Sequence, residues 1–207
     1  MPNEAMTLFT LAAPAQSSQK IKRSEFRAFL FPIPDQETAR RLLAAHSAQF
    51  ADAAHHCFAW ICGYGQEIRH SSDAGEPSGS AGKPMLNALL RARLSFVLAI
   101  VTRYFGGVKL GVPGLIGAYG GSVELALAEA ELIPLRRLCS FSIRCDYSQA
   151  EQVLRLAKSL QGVILQEEWG ERVELELQLW AENCMRLREF LDGLRSRSAI
   201  DYRIKED

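Results

Sequence analysis

The run SFVLAIVTRYF, residues 95–105, constrains the fold more than any other stretch. It is apolar without alternation until Arg103, and a strand of that kind needs both of its faces covered. Helices packed against a sheet are therefore required, and the flanking segments provide them. Upstream, 7–13 (TLFTLAA) and 20–31 (KIKRSEFRAFLF) read as strands, stopped by Pro32 and Pro34. Asp35 then caps a helix whose apolar positions Ala39, Leu42, Leu43 and Phe50 share one face. Next come a strand over 55–64 (HHCFAWICGY), a structureless loop over 65–82, and a helix from Pro84 with Leu86, Leu89, Leu90 and Leu94 at helical spacing. After the run, the turn GGVKLGVPG (106–114) leads into a helix of about 18 residues, where Gly117, Gly120 and Gly121 predict close approach to the sheet.

Beyond Pro134 the periodicity changes, which places a domain boundary between 135 and 136. Cys139, Phe141, Ile143, Cys145 and Tyr147 alternate with polar residues as one face of a strand, and Ser148-x-x-Glu151 reads as a capping box opening a helix to about 161. Strands over 163–169 and 172–180 meet at Gly170. A helix burying Cys184, Leu187, Leu191 and Leu194 follows, and a last strand carries Ile200, Tyr202 and Ile204. The fold class is α+β in two domains, 1–135 and 136–207, the second a ferredoxin-like βαββαβ unit.

Twenty-four basic residues balance 24 acidic ones, so a nucleic-acid partner has to be met by a local patch. No window approaches the roughly 20 apolar residues that span a bilayer. The first 19 residues hold no Lys or Arg and carry Glu4, unlike a secretory signal, and a cytoplasmic location is expected. Five cysteines among apolar neighbours read as buried free thiols in a reducing compartment.

SSDAGEPSGSAGKPM, residues 71–85, ends in Gly-Lys, as a phosphate-gripping loop does. Pro77 stands where a Walker loop needs its first glycine, and Pro84 replaces the hydroxyl that would hold magnesium. Two readings remain: backbone N–H groups around Ser78, Ser80 and Gly82 accept an anion with Lys83, or the loop only caps its helix. His55, His56, Cys57 and Cys62 cannot converge on one ion, because strand neighbours face opposite ways and His56 and Cys62 lie roughly 20 Å apart. No metal site is expected. Asp73 and Glu76 could exchange protons or be solvated carboxylates. Arg103, Tyr104, Gly106 and Gly107 sit where the buried strand emerges, a common ligand position in open sheets. Arg103 can hold a phosphate with an aromatic ring to stack a base, or pair with a carboxylate such as Glu76 to pin the loop, and the two readings are not exclusive.

AHHCFAW (54–60), SSDAGEPSGSAGKPMLNAL (71–89), VTRYFGGVKLG (101–111) and GLIGAYGGSVELAL (114–127) together resemble the YigZ/IMPACT family, in its bacterial two-domain form. The resemblance implies a first domain like the second domain of a small-subunit ribosomal protein, a fold shared with domain IV of elongation factor G. It implies a second domain comparable to that factor's last one, and a role in translation regulation. The chain departs from the family pattern at Ala74, Ser80, Pro113 and Glu25, which removes one carboxylate and one base.

The leading expectation is a non-enzymatic, cofactor-free protein that binds RNA or a ribosomal surface. Lys20, Lys22, Arg23, Arg27, Lys83, Arg103 and Lys109 would contact phosphates and Tyr104 would stack. One alternative is an enzyme for a small phosphorylated or nucleotide substrate, using the polar site of His55, His56, Asp73 and Glu76. Another is a protein–protein adaptor acting through the second domain.

Overall fold

The computed structural model describes residues 7–196 and 200–206; Glu4, on which the signal-peptide argument leans, lies outside them. The chain divides into two compact units, one ending at Leu135 and one beginning at Arg136.

The first unit is a five-stranded antiparallel sheet ordered β2-β3-β6-β4-β5, in which β2 is Ala15–Ile21, β3 Ser24–Pro32, β4 His55–Cys62, β5 Ile68–Ser72 and β6 Val97–Tyr104. The apolar run is the central strand β6, buried from Val97 to Arg103. Helix α1 (Gln36–Gln49) covers one face with Ala39 against Trp60, Leu98 and Ile100. On the other face α2 (Gly82–Arg91) and α3 (Gly111–Ala128) bury Met85, Leu89, Tyr119 and Val123 against Phe26, Cys57, Ala99 and Val101. Strands β3 and β4 are both antiparallel to β6, so they run parallel to each other with β6 between them and α1 as their crossover. Asp35 caps α1 through Thr38 N–H at 2.7 Å, as its position predicts.

Three details differ from the sequence reading. Residues 20–31 are not one strand but the end of a hairpin, whose register puts Ile21 opposite Ser24 and leaves Lys22-Arg23 as a two-residue turn. The presumed loop 65–82 contains β5, an edge strand held by backbone pairing to β4 rather than by burial, so no apolar alternation marks it. Gly120 faces Pro84 of α2, not the sheet, and Gly117 meets nothing. A small second sheet, β1 (Phe9–Leu11) with β7 (Leu132–Pro134), closes the unit by joining its two ends.

The second unit runs β8 (Leu138–Cys145), α4 (Tyr147–Ser159), β9 (Val163–Trp169), β10 (Val173–Trp180), α5 (Ala181–Arg195) and β11 (Asp201–Glu206). Its antiparallel sheet is ordered β11-β8-β10-β9, so the first and third strands are central. Phe141, Ile143, Leu175 and Leu177 meet Val153, Leu187 and Leu191 in one core. The helix cap lies two residues earlier than predicted: Asp146 N–H donates to Gln149 Oε1 at 3.0 Å, so Gln149 closes the box instead of Glu151. The expectation of five free thiols is corrected as well. Cys139 of β8 and Cys184 of α5 form a disulfide, while Cys57, Cys62 and Cys145 are free and buried. Strand alternation and helix periodicity each pointed these two cysteines into the core, but nothing in their spacing pairs them. No helix among the described residues is long and apolar enough to cross a membrane.

Candidate nucleic-acid interface and its buried support

One end of the five-stranded sheet gathers three loops around Arg103. The guanidinium lies over two rings, 5.4 Å from the centre of buried Phe26 and 5.3 Å from that of exposed Phe105. Its Nη1 donates to Glu76 Oε1 at 2.6 Å, and Tyr119 OH donates to the same oxygen at 2.7 Å. Arg103 is 5% exposed, Glu76 9% and Tyr119 not at all. A buried charge is tolerated only when paired and hydrogen-bonded; this one is paired through Nη1 and bonded through Nη2, while its buried Nε has no hydrogen-bond partner among the described residues. The carboxylate-pairing reading of Arg103 therefore describes its position, and the guanidinium is not presented to a phosphate.

The same arginine ties the loops together. Nη2 reaches Ser24 Oγ at 3.4 Å, next to the hairpin turn, and Gly106 N–H donates to that hydroxyl at 3.3 Å. Gly106 has to be glycine, because a Cβ there would fall 1.9 Å from the Arg23 carbonyl oxygen. Glu76 belongs to the 73–81 loop, so hairpin tip, glycine-rich loop and the 105–110 turn are all braced on one buried ion pair.

The 73–81 loop uses its own anion. Asp73 accepts N–H bonds from Gly79 at 2.8 Å and from Ala81 and Gly82 at 2.9 Å each. Burial alone would raise this carboxyl's pKa, but the three backbone donors outweigh it and hold it below the ordinary value. This corrects the anion-site reading: the donors at the start of α2 are filled by Asp73. Ser80 is fully buried and donates to the Pro77 carbonyl at 2.6 Å, and a Cβ on Gly82 would lie 2.7 Å from Ser72 N, so neither faces a ligand. Ser78 and Lys83 are exposed, and Lys83 lines a groove of about 370 Å3 between α2 and α3 with Asn87, Ile116 and Gly117.

The predicted polar site is divided by the sheet. His55 shares the Arg103 face; its Nδ1–H donates to the Ala74 carbonyl at 2.9 Å, and Nε2 lies 4.0 Å from Glu76 Oε1. Cys57, on the same face, donates to the Asp73 carbonyl at 2.9 Å, and burial pushes its thiol up to about 12, which removes it as a nucleophile. His56 points to the opposite face and does not join them. It meets Thr102 Oγ1 at 3.1 Å, and His46 Nε2 meets the same oxygen at 2.7 Å. Burial, then the neighbouring His56, lowers the His46 pKa to about 4, and burial lowers that of His56 as well. Sequence reasoning missed His46, which sits one helical turn after Leu42 and Leu43 on the inward side of α1. No group of three metal-ligating side chains occurs among the described residues.

Tyr104 also leaves the sheet on the α1 side. Arg27 lies over its ring at 4.9 Å and is paired with Glu25 at 2.7 Å, while Tyr104 OH donates to Asp52. Arg103 and Tyr104 therefore do not form a joint site, and the aromatic ring beside Arg103 is Phe105, 51% exposed.

Five cations face outward around this end, beside exposed Asp52, half-buried Glu25 opposite Lys20, and Glu124, which shares the groove of Lys83. Lys20, Lys22, Arg23, Lys83 and Lys109 are exposed. The segments 20–23, 77–83 and 105–112 that carry them contain no Asp or Glu. Lys22 and Arg23 have left-handed backbones, φ 45° and 70°, at a turn that ordinarily takes Asn or Gly.

A match to the Impact N-terminal domain covers residues 22–127, spanning all three loops. The chain belongs to the IMPACT family. A match to a domain of unknown function covers residues 143–194 of the second unit. The chain is 34% identical to the IMPACT family member YigZ of Escherichia coli over 92% of its own length and 96% of the relative's. It is 33% identical to the IMPACT family member YvyE of Bacillus subtilis over 81% and 77% of the two chains. A solved structure described as a hypothetical protein superposes with a TM-score of 0.69 at 32% identity, covering 95% of this chain and 96% of that one.

Proposed function

We propose that this IMPACT-family protein is a non-enzymatic, translation-associated factor of the cytoplasm that binds RNA or an RNA-bearing ribosomal surface. The rim of Lys20, Lys22, Arg23, Lys83 and Lys109 makes the phosphate contacts. The observation that carries the reading is the sorting of charge around Arg103: both carboxylates of the 73–81 loop are bonded inward, Glu25 is taken by Arg27, and the three segments that carry the exposed cations contain no acid. Such a patch supplies the local potential that a chain without net charge otherwise lacks. The hairpin turn adds weight. Two cations in left-handed backbone cost on the order of 1 kcal/mol each relative to glycine, a strain that is typical of functional positions.

In this reading the domain likenesses follow the family. The helix-flanked antiparallel sheet of the first unit supports likeness to the second domain of a small-subunit ribosomal protein and domain IV of elongation factor G. The strand order of the second unit supports a ferredoxin-like fold, with a protein partner as its role. The test is titration of fluorescent RNA at a series of salt concentrations. Affinity is expected to fall steeply with salt, and the combined change of Lys22, Arg23, Lys83 and Lys109 to Ala is expected to abolish binding. Salt-independent binding, or binding that survives the four changes, contradicts the proposal.

A further inference from the structure

We propose that Phe105 is a stacking platform for an unpaired base, so that the RNA taken by the rim is single-stranded or looped rather than duplex. The inference rests on the RNA-binding reading above and adds to it the class of RNA. The Arg103 guanidinium lies over the Phe105 ring, 5.3 Å from its centre, and the residue nonetheless stays 51% exposed, so much of it is accessible to a ligand. An exposed aromatic ring with a cation fixed against it is an arrangement on which a base can stack.

The ring is also held still. Arg103 is locked by Glu76 at 2.6 Å and by buried Phe26, and the chain after Phe105 is fastened by Gly106 N–H to Ser24 Oγ. The close approach of Gly106 to the Arg23 carbonyl brings the platform beside the hairpin tip, and Lys109 follows on the same turn. A base on Phe105 thus has its flanking phosphates within reach of Lys22, Arg23 and Lys109. A duplex offers phosphates to the same cations but keeps its bases stacked inside, out of reach of the ring. Arg103 acts here as a positioning residue, not as a ligand.

The experiment compares a 12-nucleotide oligouridine with a 12-base-pair RNA duplex on the intact protein, using wild type, Phe105→Ala and Phe105→Trp. Wild type binds the oligouridine more tightly than the duplex. Phe105→Ala weakens oligouridine binding by about 5- to 150-fold, the range for loss of one base–aromatic stack. It leaves duplex binding and the salt dependence of both unchanged, and Phe105→Trp restores oligouridine affinity. Equal, salt-sensitive binding of both RNAs that ignores Phe105 overturns this inference while sparing the rim. Absence of binding to either RNA overturns the rim and the platform together.

Discussion

Thr102 and Arg103 are successive residues of β6, and each anchors a buried polar cluster on its own face of the sheet. On the Arg103 face the charge is kept: guanidinium and carboxylate pair at 2.6 Å with a tyrosine hydroxyl on the same oxygen. On the Thr102 face the charge is suppressed, since two histidines share one hydroxyl and burial holds His46 neutral. The two solutions suit different tasks. A buried ion pair braces three loops that differ in sequence and direction, whereas a neutral cluster only seats α1 on the sheet beside Phe29 and Phe50.

The largest effect is expected from breaking the ion pair. Arg103→Met leaves Glu76 buried without its cation and is expected to lower unfolding free energy by about 3–5 kcal/mol. The double change Arg103→Met with Glu76→Gln, which keeps an acceptor for Tyr119, is expected to recover most of that loss. Urea unfolding of the three proteins checks both, and a double variant as unstable as the single one would refute the pairing.

Acid separates the two faces next. The His46 pKa is lowered from 6.5 to about 4, so the folded state prefers the neutral ring. Its contribution is present above pH 6.5 and is lost as pH falls from 6.5 towards 4, by up to about 3 kcal/mol. Thermal unfolding between pH 7 and pH 4 should show this loss, and His46→Gln should flatten the same interval. Smaller still is Thr102→Val, which removes the shared hydroxyl and leaves buried ring nitrogens unsatisfied, at a cost of about 1–3 kcal/mol at neutral pH. A loss confined to acid would place the hydroxyl outside the cluster.

How far these clusters were legible in the sequence depends on the residue. The unbroken apolar character of 97–101 announced a central strand, but the alternation beyond it went unused: Arg103 and Tyr104 were read as one site although successive strand residues face opposite ways. Glu76 was nameable as a partner because the long glycine-rich loop needed an anchor and Arg103 ended the strand. Tyr119 and His46 were hidden: each lies on a helix among apolar residues, and only the crossing of helix and strand shows which polar atom it meets. Asp73 was misread for a different reason. Its nearness to a row of free N–H groups is a matter of loop geometry, so spacing alone suggested a vacant anion site where the chain supplies its own carboxylate. Strand β5 was missed because backbone pairing at an edge leaves no periodic mark.

In the proposed function the exposed rim carries RNA binding while the buried arginine only supports it. The most direct test is the slope of log K against log salt for oligouridine, measured on wild type, Lys83→Ala, Lys22→Ala and the Arg103→Met/Glu76→Gln pair. Each rim change is expected to reduce the slope by about 0.7, the loss of one phosphate contact, and the buried pair to leave the slope unchanged. A slope that falls on removing Arg103 and ignores Lys22 and Lys83 would overturn this division of roles.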